Sequence, residues 1–165
     1  MKRLVDISVS LIALIILSPV FLIVAYKVRR NLGSPIFFFQ ERPGKDGKLF
    51  KIIKFRSLKD VVDQEGNLLP DDQRITPFGH KLRCTTLDEM PQLINVLKGE
   101  MSIVGPRPQL CEFIEHYTSH QMRRHEVKPG MTGLAQVSGR NNLSWEEKFN
   151  LDVEYVDAQS IFLDS

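Results

Sequence analysis

From Leu4 to Tyr26 the chain reads LVDISVSLIALIILSPVFLIVAY, an apolar run interrupted by Asp6, Ser8, Ser10 and the pair Ser18-Pro19. As a helix it would be roughly 34 Å long, enough to cross the roughly 30 Å of hydrocarbon in a bilayer. A signal peptide fits poorly, because Leu32-Gly33-Ser34-Pro35 beyond the run is no small-residue cleavage site. Two geometries remain. Lys2 and Arg3 precede the run while Lys27, Arg29 and Arg30 follow it, which gives no orientation bias and suits two ends on one cytoplasmic face. Pro19 lies mid-run, where it removes a backbone hydrogen bond and crowds the carbonyl of Ile15. The Ser18 hydroxyl can satisfy a freed carbonyl, so a bend is tolerable in lipid. A re-entrant helix bent at Ser18-Pro19 explains both features, and a straight single span is the alternative.

Outward from this run, the chain of 165 residues has room for one domain with a real core. We read residues 1–30 as the membrane helix and 31–165 as a small cytoplasmic domain. A net charge of +2 gives no sign of nucleic acid. Cys84 and Cys111 fit no zinc spacing and read as small core residues in a reducing compartment. The four histidines form no metal-ligand spacing. Ile36 to Gln40 and Leu49 to Phe55 read as strands, joined as a hairpin through Gly44 to Gly47. Val61 to Arg74 is a polar surface excursion. Helices are expected from Thr86 to Lys98, stopped by Gly99, then over Gln109–Glu126 and Ser144–Ala158, with a turn cluster at Pro129-Gly130-Met131-Thr132-Gly133. The fold class is α+β and mostly helical, with no βαβ alternation.

Five constellations carry possible chemistry. Asp88-Glu89 lies at the expected helix start, before Pro91, where neighbouring side chains can converge and exposed N–H groups favour phosphate. Thr86-x-x-Glu89 equally matches a capping box in which Glu89 only holds the helix end. In Gly105-Pro106-Arg107-Pro108, two prolines restrict the backbone around an arginine, suiting either phosphate recognition or a rigid loop paired to a carboxylate. Lys54 and Arg56 flank Phe55 on a strand, sharing one face that is either functional or simply solvated. Trp145, Phe149, Val153 and Val156 form a helical apolar stripe. Asp152 lies on or beside it and needs a partner, either an internal cation or a ligand. Gly139-Arg140-Asn141 is a turn that could present Arg140 to an anion.

In register, these blocks resemble the monotopic phosphoglycosyl transferases, the bacterial sugar transferase family, and most closely its minimal PglC-like members. The resemblance runs through Lys2-Arg3-x-x-Asp6, Ser18-Pro19, Gln40-x-Arg42-Pro43-Gly44, Lys54-Phe55-Arg56-Ser57 and Leu87-Asp88-Glu89. It continues through Gln92-Leu93-x-Asn95-Val96-Leu97-x-Gly99, Gly105-Pro106-Arg107-Pro108, Pro129-Gly130-x-Thr132-Gly133-x-Ala135-Gln136 and Gly139-Arg140-Asn141. It departs at Thr85-Thr86-Leu87, where Ser-Leu is commoner. Members usually continue through an amphipathic stretch after the region ending here at Ser165, so a longer chain is expected.

The resemblance implies a re-entrant helix at Ser18-Pro19, Asp88 as nucleophile, and Glu89 as a ligand of Mg2+. It also implies donor or phosphate contacts from Lys54, Arg56, Pro106, Arg107, Pro108, Arg140 and Asp152. The expected reaction moves a sugar phosphate from a UDP-sugar, N-acetylated by analogy, to polyprenyl (undecaprenyl) phosphate at the cytoplasmic face of a bacterial inner membrane, and a homodimer is compatible with it. Two alternatives stand beside it: direct attack by the lipid phosphate with Asp88 as base, and a non-catalytic membrane-anchored module that binds a lipid phosphate or a partner.

Overall fold

A computed structural model describes residues 1–139, 142–160 and Asp164. The expected class is found, mostly helical with little strand. The elements are α1 (Lys2–Leu32), β1 (Phe37–Pro43), β2 (Leu49–Phe55), α2 (Asp71–Arg74), α3 (Pro77–Cys84), α4 (Gln92–Lys98), β3 (Ser102–Val104), α5 (Ser119–Met122), β4 (Gly130–Thr132), α6 (Leu134–Ser138) and α7 (Trp145–Ala158). Strands β1 and β2 pair as the expected hairpin. Compactness divides the chain into two units, one comprising Leu14–Phe39 and Ile53–Pro91, the other Met1–Ala13, Gln40–Ile52 and Gln92–Ser165.

The first unit is built on the second half of α1. Val24, Val28 and Leu32 recur at helical spacing and are buried with Phe55, Leu82 and Met90, while Phe21, Ala25, Phe37 and Leu87 pack around them. Phe37 stacks on Phe55 with centroids 5.4 Å apart, and Phe21 meets Phe55 at 4.7 Å. These contacts hold the start and end of the hairpin against the helix. Helix α1 continues through Pro19, and the Ser18 hydroxyl donates to the Ile15 carbonyl at 2.8 Å. That carbonyl is the one proline displaces. In α3, Thr76 caps the helix by accepting from the Gly79 amide, and Pro77 takes the first turn. Gly79 has no alternative here, since a Cβ would lie 1.9 Å from the Ser57 carbonyl oxygen.

In the second unit the first turns of α1 sit in polar contacts. Arg3 donates to the Leu97 carbonyl at 2.7 Å and also to that of Val96, so it satisfies carbonyls left open at the end of α4. Asp6 is buried and accepts from the Ser102 hydroxyl at 2.9 Å and the Ile103 amide at 3.0 Å. Lys2 reaches the Val104 carbonyl, the Tyr155 hydroxyl and Asp164. The exposure pattern of α1 is thus inverted. Its polar Asp6 and Ser10 are buried while Leu4, Ile12, Ile15, Ile16, Leu22 and Ile23 are exposed. Only 11% of its most apolar 18-residue window is buried, which rules out an ordinary core helix.

A second sheet was not expected. β3 and β4 pair in parallel, with Ser102 opposite Gly130 and Val104 opposite Thr132. The cluster at residues 129–133 is therefore a strand and its flanks, not only a turn. Two glycines make the approach possible: a Cβ on Gly130 would stand 2.1 Å from the Gly105 amide nitrogen, and one on Gly105 would stand 2.5 Å from the Lys128 carbonyl oxygen.

Other expectations need correction. Residues 86–98 do not form one helix: a 3-10 turn spans Leu87–Glu89, and α4 begins only after Pro91. Gln109–Glu126 is split into a 3-10 segment, α5 and a second 3-10 segment, because Tyr117 is extended and Thr118 with Gln121 forms a fresh capping box. Helix α7 forms as expected behind a Ser144–Glu147 capping box, with Phe149, Asp152 and Val153 buried. Trp145 stands at the edge of that stripe, exposed on one side and stacked on Phe149 with centroids 5.9 Å apart. Cys84 is exposed too, so it is no core residue.

Candidate active site

The acidic pair sits on the 3-10 turn that follows α3. Thr86 opens the turn with φ +59°, a left-handed conformation that a β-branched residue rarely adopts. Its side chain makes no capping hydrogen bond, so the capping box suggested by Thr86 and Glu89 does not form. What forms instead is a turn fastened on both flanks. Leu87 and Met90 pack into the core around Val24 and Val28 of α1. Asp88 and Glu89, the residues between them, are both 8% exposed.

Glu89 accepts from the Lys54 ammonium, with 2.7 Å between Oε1 and Nζ. Lys54 reaches it from the end of β2. Burial pushes the Asp88 carboxyl above the usual aspartate range, and the neighbouring Glu89 charge pushes it further; Lys54 and, more weakly, Arg83 pull it back. A carboxylate of raised basicity beside a second carboxylate and a fixed cation can act as nucleophile or base. Carboxylate oxygens are also the donors magnesium takes, typically one or two of them with substrate phosphates and water completing the shell. Among the described residues no group of three or more acidic, histidine or cysteine ligands is gathered. The pair therefore fits a cation shared with a diphosphate better than a closed protein cage.

Arg56 follows Phe55 just past the end of β2 and is buried, so the solvated strand face does not form. Its guanidinium donates to the Ser34 carbonyl at 2.7 Å and the Leu58 carbonyl at 2.8 Å, and pairs with Asp60 at 2.8 Å. These bonds close the base of the excursion. Lys54, Arg56, Asp88 and Glu89 all belong to the first unit.

The other candidates lie in the second unit and are described within it. Arg107 is exposed on the loop leaving β3, and Pro106 beside it is buried. That loop is pinned through backbone atoms: the Pro106 carbonyl accepts from the Gly130 amide at 2.9 Å, and the Arg107 carbonyl accepts from Arg124 at 2.7 Å. Pro108 is half-buried. Asp152 has the internal cation its position called for. Arg124 grips its Oδ2 from Nε and Nη2 at 3.1 and 2.7 Å, and donates to the Tyr117 hydroxyl at 3.0 Å. The guanidinium also lies over the Tyr117 and Phe149 rings. Sequence reasoning did not single out Arg124; its only local signal is its place in the basic run Arg123-Arg124-His125. Arg140 lies outside the described residues.

Comparison with known proteins adds an independent line. The family model described as bacterial sugar transferase matches residues 1–165. The chain is 52% identical over 164 residues to an uncharacterized sugar transferase, EpsL, of Bacillus subtilis, covering 99% of this chain and 81% of the relative. It is 42% identical to the galactosyl transferase CpsE of Streptococcus agalactiae, with 99% of this chain matching 39% of that protein. It is also 42% identical to a UDP-glucose:undecaprenyl-phosphate glucose-1-phosphate transferase of Klebsiella pneumoniae, 99% of the chain matching 37% of the relative. The chain thus spans most of the first of these and under two fifths of the other two.

Proposed function

The chain belongs to the bacterial sugar transferase family, a phosphoglycosyl transferase as its motifs suggested, and from that premise we propose that it transfers a sugar 1-phosphate from a UDP-sugar to polyprenyl phosphate through Asp88. The observation that carries this reading is the buried Asp88–Glu89 pair, tied to Lys54 and anchored by Leu87 and Met90 onto the apolar helix. Nucleophile and membrane segment are joined through one small core.

In the proposed first step, an Asp88 carboxylate oxygen attacks the sugar-bearing β-phosphorus. The bond from that phosphorus to the oxygen bridging to the α-phosphate breaks, and UMP leaves with its electron pair. In the second step a phosphate oxygen of the lipid attacks the same phosphorus, and the carboxylate–phosphorus bond breaks to regenerate Asp88. Glu89 would hold magnesium, which when bound would supply charge neutralisation at the leaving oxygens. Lys54 holds Glu89 in place, and Arg107 is the candidate contact for the nucleotide. Splitting the transfer this way keeps two fully charged phosphates from meeting directly. A ternary complex, with Asp88 as base, is the competing order of events.

The membrane geometry supports a site at the cytoplasmic interface. Lys2, Arg3 and Asp6 are engaged in polar contacts, Ser10 is buried, and Phe21 to Leu32 pack one face against protein. Residues 11–20 between them amount to roughly 15 Å of helix, half the thickness of the hydrocarbon. A re-entrant helix turning at Ser18-Pro19 needs no more. The test is thiol labelling in a Cys84→Ser, Cys111→Ser background, with a single cysteine either inserted after Met1 or introduced as Asn67→Cys: both are expected to react from the same face of sealed vesicles. Labelling from opposite faces would establish a span.

The chemical test uses Asp88→Asn. It is expected to abolish UMP release, lipid product and attachment of radiolabelled phosphosugar to protein, whereas normal turnover would remove Asp88 from the mechanism. UMP exchange without lipid acceptor supports the covalent order, and its absence supports the ternary one. A donor panel with N-acetylated and simple hexose UDP-sugars assigns the sugar, and the molar mass of the same sample tests the homodimer.

A further inference from the structure

We propose that Arg83 is a phosphate-gripping residue of the donor site, parked in this structure on Asp71 and exchanged onto the donor diphosphate when it binds. This rests on the reading of Asp88 as the reacting group, and it adds a residue that no motif above assigned.

The geometry begins with Ser57. Its backbone lies against Gly79, where no Cβ can be accommodated, so the start of α3 and the end of β2 are locked together. The buried Ser57 hydroxyl accepts from Arg83 Nε at 2.9 Å. One edge of the guanidinium is thereby oriented by a rigid element. Arg83 sits in the last turn of α3, immediately before the turn that carries Asp88.

The other end of the guanidinium is held loosely. Arg83 Nη2 stands 3.5 Å from Asp71 Oδ2, and the two side chains are 42% and 64% exposed. A long, wet ion pair of this kind contributes little and exchanges easily. Asp71 also pairs with Arg74, so it keeps a partner if Arg83 departs.

Charge supplies the reason for the exchange. The turn already holds two carboxylates, and Lys54 is committed to Glu89. Even with a divalent cation at Glu89, a diphosphate approaching these carboxylates gains from a further cation beside the turn. Arg83 is close enough to serve: its carbonyl accepts from the Thr86 amide at 3.1 Å, where the turn carrying Asp88 begins. Its planar fork matches phosphate oxygens as it matches the Asp71 carboxylate. Arg56 and Arg74 are otherwise engaged with Asp60, at 2.8 and 3.5 Å.

The experiment measures equilibrium binding of UDP, an unreactive probe, to the full chain in micelles with magnesium, for the parent and for Arg83→Ala, Arg83→Lys and Asp71→Asn. Loss of a charge-assisted contact predicts a Kd raised about tenfold or more in Arg83→Ala, with partial recovery in Arg83→Lys. Removing the resting partner predicts UDP binding tightened by up to about fivefold in Asp71→Asn, the ceiling for an exposed pair. With a UDP-sugar, KM is expected to follow the same order. A purely structural Arg83–Asp71 contact would instead weaken binding or leave it unchanged in Asp71→Asn. Unchanged UDP affinity in Arg83→Ala, or weaker or unchanged binding in Asp71→Asn, overturns the proposal. The two readings fail separately: a parent that binds UDP through Arg83 but releases no UMP refutes the transfer mechanism only, and a parent that turns over with Arg83-independent UDP binding refutes only this assignment.

Discussion

Replacing Lys54 by Met isolates the electrostatics of the acidic turn. Methionine keeps most of the stem volume and removes the ammonium that lies 2.7 Å from Glu89. The two side chains are only 20% and 11% exposed, so Glu89 would be left with little water to replace its partner, next to a second buried carboxylate. Breaking a buried pair from one side costs about 3–5 kcal/mol. The residual exposure places this case near the lower end, about 3 kcal/mol. For a chain of 165 residues that corresponds to a melting temperature lowered by roughly 6–12 °C. Thermal unfolding in one fixed detergent measures it, and the double variant Lys54→Met with Glu89→Gln is expected to recover most of the loss. Because Lys54 pulls the Asp88 carboxyl down, its removal also moves the acidic limb of the pH–rate profile to higher pH. A single variant within about 0.5 kcal/mol of the parent, or a double variant no more stable than the single, would refute the reasoning.

Three further outcomes follow from the same structure. Asp88 is held above the usual aspartate range by burial and by Glu89, so its ionised form costs the native state stability. Stability from this group rises as pH falls through its folded value and levels off below the unfolded one, so Asp88→Asn is expected to be inactive yet to melt at or above the parent temperature at neutral pH; a melt lowered by several degrees would contradict it. Gly130→Ala drives a Cβ to 2.1 Å from the Gly105 backbone and should cost about 3 kcal/mol by the same thermal assay, whereas near-parent stability would mean the β3–β4 approach is looser than described. Arg124→Met leaves Asp152 buried without its cation and is expected to cost about 3–5 kcal/mol, with Asp152→Leu in the same chain restoring much of it; an additive double variant would show the pair is uncoupled.

The apolar helix, the hairpin and α7 were legible because each announces itself locally: length and composition for the first, strand-like segments around a glycine turn for the second, an apolar stripe at helical spacing for the third. The acidic turn was legible as residues but not as geometry. Thr86-x-x-Glu89 has the letters of a capping box, and only the left-handed backbone at Thr86 and the competing Lys54 ammonium show why it does not form. β3 and β4 escaped because a three-residue strand has no period to detect, and its partner lies more than twenty residues away. Arg124 escaped for a related reason. Its role depends on Asp152, Tyr117 and the Arg107 carbonyl, which only the fold brings within reach.

Val24, Val28 and Leu32 are at once part of the hydrophobic N-terminal segment and half of the packing beneath the acidic turn. Trimming the first thirty-two residues to obtain a water-soluble fragment would therefore not yield a free-standing catalyst. It would strip Phe55, Leu82 and Met90 of their counterpart and leave Asp88 and Glu89 on an unsupported turn. The apolar helix and the acidic turn of this transferase have to be inherited, purified and engineered as one piece.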